Sequence, residues 1–378
     1  MKVVVTGADG FLGWHLRLRL RALRPEDDVR SVTRGTDPTA LAAALAGADV
    51  VLHCAGVNRG SPAQVESGNV RLATELVQAL QRNGCAPAVV YADSVQAGNG
   101  SPYGSGKAAA AQVLQQWGRD VGSAVADVRL PNLYGEHGRP AYNSFVATFA
   151  HRIAAGEQPE VLRDRPVPLL HVQDAAQLLL SCWLDGVHGP CEAPVTRTAG
   201  VVEVRDLLAG FAATYCPDGS IPALRDRFDV TMFNTLRAAL FPQRYPFRPQ
   251  PHSDARGTLV ESVRVHGGQG QAFVSSTLPG QRRGDHFHLD KIERFQVVRG
   301  RGLIRLRRML SDDYVEFAVD GDQPAVVDMP TGWAHSIENT GDEELITMFW
   351  AHELFDPDRP DTYREVVQAP AALAGAAR

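Results

Sequence analysis

No stretch of the 378-residue chain approaches the roughly 18 uncharged apolar residues of a membrane-spanning helix, which excludes such a span. An excess of positive charge is also lacking. The 43 acidic residues outnumber the 38 basic ones, for a net charge of −5 and an isoelectric point near 6.2. A nucleic-acid partner usually calls for a strongly basic face, so that class is set aside. Cysteine is sparse: Cys54, Cys85, Cys182, Cys191 and Cys216 form no CxxC pair, and none follows Cys216. They read as reduced, mostly buried thiols of a cytosolic protein. The start, Met1-Lys2-Val3, runs straight into an apolar strand without the regions of a signal peptide, and a cytoplasmic location is expected. Internal repeats and low-complexity tracts are missing too. A hydrophobic content of 44% excludes a disordered chain, and the length suffices for two domains.

What is present falls into two halves. Residues 2–180 alternate β-branched runs (Lys2–Val5, Val29–Thr33, Asp49–His53, Ala88–Ala92, Ala124–Arg129) with helical patterns at Leu12–Leu23, Val70–Asn83 and Gly106–Gly118. That alternation predicts an α/β Rossmann-type parallel sheet with helices on both faces. Residues 135–240 read as a smaller substrate lobe of helix and loop, with helices starting near Asp174 and covering Glu203–Tyr215 and Asp226–Leu240. Prolines 242, 246, 249 and 251 then break the pattern. They predict a hinge-like linker between separately folding domains of residues 1–245 and 252–370. Beyond it, short alternating strands at Phe295–Val298, Gly302–Arg307, Tyr314–Ala318, Ala325–Asp328 and Leu345–Trp350 predict an all-β antiparallel barrel. The alanine-rich stretch after Pro370 is expected to fray.

Gly7, Gly10 and Gly13 follow the first strand and open a helix, with Asp9, Phe11 and Leu12 among them. Glycines so placed allow a tight turn and a close backbone approach to a pyrophosphate, which the helix N-terminus stabilises. Past the second strand, where NAD enzymes usually carry an acidic residue, stands Arg34, which suits a 2′-phosphate and favours NADP(H). Ala55 and Asn69 belong to the segments after the third strand. Tyr103 and Lys107 form a YxxxK pair on one helix face, nine residues after Ser94. A nearby ammonium is expected to lower the phenol pKa for proton relay, and Ser94 to hydrogen-bond a substrate carbonyl.

This set resembles the extended short-chain dehydrogenase/reductase family. The resemblance implies catalysis by Ser94, Tyr103 and Lys107. It also implies a cofactor touching Gly7, Asp9, Gly10, Phe11, Leu12, Arg34, Ala55, Asn69, Tyr103 and Lys107. It extends over Arg129–Gly135 and Leu170–Asp174 and implies a nucleotide-sugar substrate; His171 reads equally as a core or cap residue.

The second half is similar to the cupin family on Gly280, His286, His288, Glu293 and Gly300, then Pro330, Gly332, His335 and Asn339. His286 and His288 flank Phe287 and so share one strand face, where Glu293 and His335 can complete a cage. Such donors suit Zn, Fe, Ni or Mn, zinc being the first choice, and a polar barrel lining without metal is the alternative. Lys291, beside the motif, reads as a solvent charge rather than a base. The order reductase, linker, cupin resembles the bifunctional enzymes of capsule and O-antigen sugar synthesis over nearly the whole chain. The carrying segments are Leu52–Arg59, Pro131–Gly135, Tyr142–Phe149, Ile337–Asn339 and Phe355–Tyr363. That resemblance implies a UDP-4-keto-6-deoxy amino sugar as substrate, touching Asn132, Tyr142 and Asn143. It implies C3 epimerisation in the cupin, then NADPH reduction of C4 to UDP-2-acetamido-2,6-dideoxy-L-talose. A homodimer or larger homo-oligomer is expected, because small barrels hide edge strands by pairing. The alternatives are a cupin that only binds or dimerises, and a related sugar of an antibiotic pathway.

Overall fold

The structure, a computed structural model, describes residues 1–368; the alanine-rich stretch after Pro370 lies outside the described residues. In chain order the elements begin β1 (Lys2–Thr6), α1 (Phe11–Leu23), β2 (Asp28–Val32), α2 (Pro38–Leu45), β3 (Val50–His53), α3 (Pro62–Arg82) and β4 (Ala88–Ser94). There follow α4 (Pro102–Val121), β5 (Val125–Leu130), β6 (Asn132–Tyr134), α5 (Phe145–Ala154), β7 (Pro166–His171), α6 (Val172–Leu184), β8 (Gly189–Glu192) and β9 (Arg197–Gly200). Helices α7 (Val201–Tyr215) and α8 (Arg227–Leu240) precede a run of strands. These are β10 (His252–Asp254), β11 (Gly257–Leu259), β12 (Gln271–Thr277), β13 (Arg282–Phe287), β14 (Glu293–Arg299) and β15 (Arg301–Arg308). The last are β16 (Tyr314–Asp320), β17 (Val326–Met329), β18 (Trp333–Asn339), β19 (Leu345–Ala351) and β20 (Tyr363–Arg364).

Two compact units divide the chain. The first holds residues 1–134, 141–144 and 165–199. Its main sheet is fully parallel, in the order β2-β1-β3-β4-β5-β8. Alternation along β1 shows why it is covered twice: Val3 and Val5 pack with Leu16, Leu20 and Leu179, whereas Val4 packs with Leu45, Leu76 and Leu114. Helix α3 starts eight residues ahead of the expected Val70. The Ser61 hydroxyl accepts from the Gln64 amide at 3.3 Å while Gln64 accepts from the Ser61 amide at 2.9 Å, a reciprocal cap that sets the start.

The second unit holds residues 135–140, 145–164 and everything described from Gly200 onward. Its strands form a four-stranded sheet, β12-β19-β14-β17, and a five-stranded sheet, β16-β15-β18-β13-β20. The ladders are antiparallel throughout. The predicted substrate lobe is thus split: α6 covers the parallel sheet, while α5, α7 and α8 belong with the antiparallel unit.

The proline-rich segment is packed rather than hinge-like. Phe241, Tyr245 and Phe247 are buried, and Phe247 exchanges both backbone hydrogen bonds with Val326, at 3.0 and 2.8 Å. The prolines were visible in the sequence, but the interleaved aromatics carry enough apolar area to hold the segment down. Tyr215 lies 2.6 Å from the Tyr245 hydroxyl and donates to Asp328 at 2.5 Å. Arg294 grips the same carboxylate through Nε and Nη2, at 2.6 and 2.9 Å. All five cysteines are free thiols, and only Cys182 is fully buried. Among the described residues, no helix is long and apolar enough to cross a membrane.

Candidate active sites

The glycine loop of the first unit is fixed by close approach. Gly7 has φ +65°, and a Cβ there would stand 2.7 Å from the Ala55 nitrogen. A Cβ on Gly13 would stand 2.1 Å from the Gly7 carbonyl oxygen, so α1 can meet the loop only through hydrogen. Gly10 caps α1 without a side chain, leaving first-turn amides available to an anion. Phe11 and Leu12 are half-buried at that helix start, and Asp9 pairs with Arg17 at 3.2 Å on the surface. Arg34 is exposed just past β2. The Ala55 amide donates to the Thr6 hydroxyl at 3.3 Å. Asn69 is buried, with its amide spent on the backbone of Val57 and Val65, so it pins the loop after β3.

Ser94 ends β4, its hydroxyl accepting from the Gln96 amide at 3.2 Å, and Tyr103 lies in the first turn of α4. Lys107, one turn on, is buried: its ammonium donates to the Ala92 carbonyl at 2.6 Å and lies 4.0 Å from the face of Tyr91. Burial pulls this lysine down to about 8, against the pull of Asp93. The Tyr103 phenol was expected to be lowered. It is raised instead, because burial and the Asp93 charge outweigh the lowering by nearby Ser94. His171 is wholly buried as the cap of α6, its ring 5.4 Å from Tyr134. Asn132 is exposed on β6. Tyr142 and Asn143 come together on Arg59, which lies 4.9 Å over the Tyr142 ring and 3.4 Å from the Asn143 oxygen. A positive charge there could only be found by its place in the segment after β3.

In the second unit, β13 carries His286, the turn after it His288, β14 Glu293 and β18 His335. Their donor atoms all lie within 4.8 Å of one another. Glu293 Oε2 stands 3.2 Å from His288 Nε2, 3.3 Å from His335 Nε2 and 3.8 Å from His286 Nε2. A bulge between Gly284 and His286 aims the first ligand, and a Cβ on Gly284 would meet the His335 carbonyl oxygen at 2.8 Å. His288 Nδ1 faces the Asp361 carbonyl at 2.5 Å and His335 Nδ1 faces the Trp333 carbonyl at 3.1 Å. Those acceptors place the ring protons on Nδ1 and turn both Nε2 lone pairs inward. Burial opposes every charge here. It lowers His335 to about 4, while the Glu293 carboxylate overcomes it and raises His288. Glu293 itself is held well below its ordinary range despite burial, by the charge of His288 and the three imidazoles that face it. This inward set of three imidazole nitrogens and one carboxylate oxygen fits a divalent transition metal.

Two features escaped the sequence reading. Asp361 clamps the turn, its carboxylate accepting the amides of Leu289, Asp290 and Lys291 at 3.0, 2.9 and 2.7 Å. Lys291, expected in solvent, is 8% exposed and donates to the Pro360 carbonyl and the Thr362 hydroxyl. The dense Asp-Pro run at 356–361 was the available signal for this clamp.

Residues 3–189 match the NAD dependent epimerase/dehydratase family, and residues 252–363 match the polysaccharide biosynthesis C-terminal domain. The chain is 32% identical over 375 residues to UDP-2-acetamido-2,6-beta-L-arabino-hexul-4-ose reductase of Pseudomonas aeruginosa, covering 96% of this chain and 98% of that protein. The crystal structure of capsular polysaccharide assembling protein CapF from Staphylococcus aureus is 32% identical, with a TM-score of 0.61. It covers 97% of this chain and 100% of its own. UDP-N-acetylglucosamine 4-epimerase from Methanobrevibacter ruminantium M1 shares the fold alone, at 16% identity and TM-score 0.53 over 63% of this chain and 97% of that one. Matched end to end in both halves, the chain belongs to the CapF-like family, in which an epimerase/dehydratase domain precedes a polysaccharide biosynthesis C-terminal domain.

Proposed function

We propose that this chain is a bifunctional nucleotide-sugar enzyme of the UDP-N-acetyl-L-fucosamine type. Its C-terminal domain epimerises C3 of a UDP-2-acetamido-2,6-dideoxy-4-hexulose, and its N-terminal domain reduces C4 to give UDP-2-acetamido-2,6-dideoxy-L-talose. One observation carries the reduction: Ser94 at the end of β4, Tyr103 in the first turn of α4, and buried Lys107 one turn further along that helix. The name of the Pseudomonas aeruginosa relative, a reductase of a UDP-linked hexul-4-ose, supports the same reading. Bound NADPH would supply the hydride to C4, and exposed Arg34 past β2 suits its 2′-phosphate. Ser94 and Tyr103 hold the ketone oxygen. Tyr103 gives up its phenolic proton as negative charge grows there, and a raised phenol keeps that proton until the alkoxide is basic enough to take it. The Lys107 ammonium then offsets the tyrosinate charge.

The same 4-ketone acidifies the C3 proton, which makes epimerisation at the second site chemically accessible. His286, His288, Glu293 and His335 would hold a divalent metal, zinc by preference, whose contribution is Lewis-acid stabilisation of an enolate. The experiment mixes full-length protein with the UDP-4-keto sugar in deuterium oxide, with and without NADPH. Tyr103→Phe is expected to lower NADPH oxidation roughly 100-fold or more while NADPH still binds. Without NADPH, wild type should exchange deuterium at C3 and His288→Ala should not. A protein that reduces C4 without catalysing C3 exchange has a C-terminal module for binding or dimerisation only.

A further inference from the structure

Beneath Lys107 lies a pair of acidic groups that the proposed reduction leaves unused. Asp93 on β4 and Asp127 on β5 share a face of the parallel sheet, since Tyr91 pairs with Asp127 and Asp93 with Arg129 across the two strands. They are 4% and 5% exposed. Taken as carboxylates, both oxygens of Asp93 and Oδ1 of Asp127 find no donor. Two such groups cannot both stay charged away from water, and a proton held between the carboxyls supplies the missing donor. Burial first, then the Asp93 charge and a hydrogen bond to Asp93, raise the Asp127 carboxyl accordingly.

Asp93 Oδ1 stands 3.9 Å from the Lys107 ammonium, whose own side chain is also buried. The other groups around this lysine bring it no strong anion. Tyr91 offers its ring face, His53 and Cys54 come from the end of β3, Tyr103 lies on the same helix, and Arg129 pairs outward with Glu192 at 3.0 Å. Without a counter-ion, burial would leave Lys107 uncharged, and an uncharged amine cannot offset a tyrosinate.

We propose that Asp93, backed by the proton it shares with Asp127, is a positioning residue for the C4 reduction: it is the counter-ion that keeps Lys107 an ammonium beside Tyr103. The proposal rests on the reductase reading for its catalytic meaning, yet the charge of Lys107 can be read without any substrate. The chain has only three lysines, Lys2, Lys107 and Lys291, so carbon-13 lysine labelling of the full chain gives three Cε signals. A Lys107→Met variant assigns the one that matters. Asp93→Asn should lower the Lys107 titration by about 1–3 pH units. The alkaline limb of the kcat profile should move down by the same amount, with NADPH affinity unchanged. Asp127→Asn should shift both by less, because the nearer charge remains. An unshifted Lys107 signal in Asp93→Asn overturns the proposal. Should that variant not fold, Asp93→Glu, which keeps the charge, must titrate like wild type; a lowered Lys107 titration there overturns it equally. Failure of wild type to reduce the keto sugar would sink the reductase reading and leave the lysine measurement standing.

Discussion

Burial holds three histidines neutral: it pushes His53 down to about 3 and His137 and His352 to about 4. An unfolded chain takes up those protons near 6.5, so the unfolded state binds more of them at mildly acidic pH. Stability is therefore lost as pH falls from about 6.5 toward 4, by about 1–2 kcal/mol per histidine between 6.5 and 5. Urea midpoints at pH 7, 6 and 5 should fall steadily, and His352→Gln should flatten the slope. A flat wild-type profile would refute this. At this scale the sequence was most legible where spacing encodes direction, as at His286 and His288. It was silent on Asp93, because one acidic residue in a short strand looks the same whether its carboxylate meets water or a lysine.

The elements that hold the second unit together turn on one carboxylate. Asp328 on β17 receives Arg294 from β14 and Tyr215 from the end of α7, all buried. Asp328→Ala leaves the Arg294 guanidinium without its anion in a dry site and should cost about 3–5 kcal/mol, read as a lower denaturation midpoint. A loss below about 1 kcal/mol would mean that water or another group replaces the partner. Strands and helices of the first unit could be read from the alternation of β-branched runs with helical spacing, whereas the side that Val3, Val4 and Val5 each face came only from the packing. The segment 241–251 could not. Its prolines argue for a break, and only the packing of Phe241, Tyr245 and Phe247 decides that the break is a seated one.

For the molecule as a whole, the order of a parallel sheet followed by an antiparallel region was plain from the change in period. The division of the chain was not, because α5, α7 and α8 lie before the prolines in sequence yet belong with the strands after them. A fragment of residues 1–245 keeps those helices without Asp328, Val326 or Phe247 to pack on. It should aggregate or bind a hydrophobic dye where the full chain does not; a soluble, cooperatively melting fragment would restore the boundary at 245. The clamp at Asp361 has a different bearing. All four candidate metal donors fall between positions 286 and 335, so a graft or domain swap cut to that interval would transplant the whole motif. It would leave behind the carbonyl that orients His288 and the carboxylate that shapes the turn at 289–291. A transplanted segment needs residues 360–363 in place before its ligands are more than a matching string of letters.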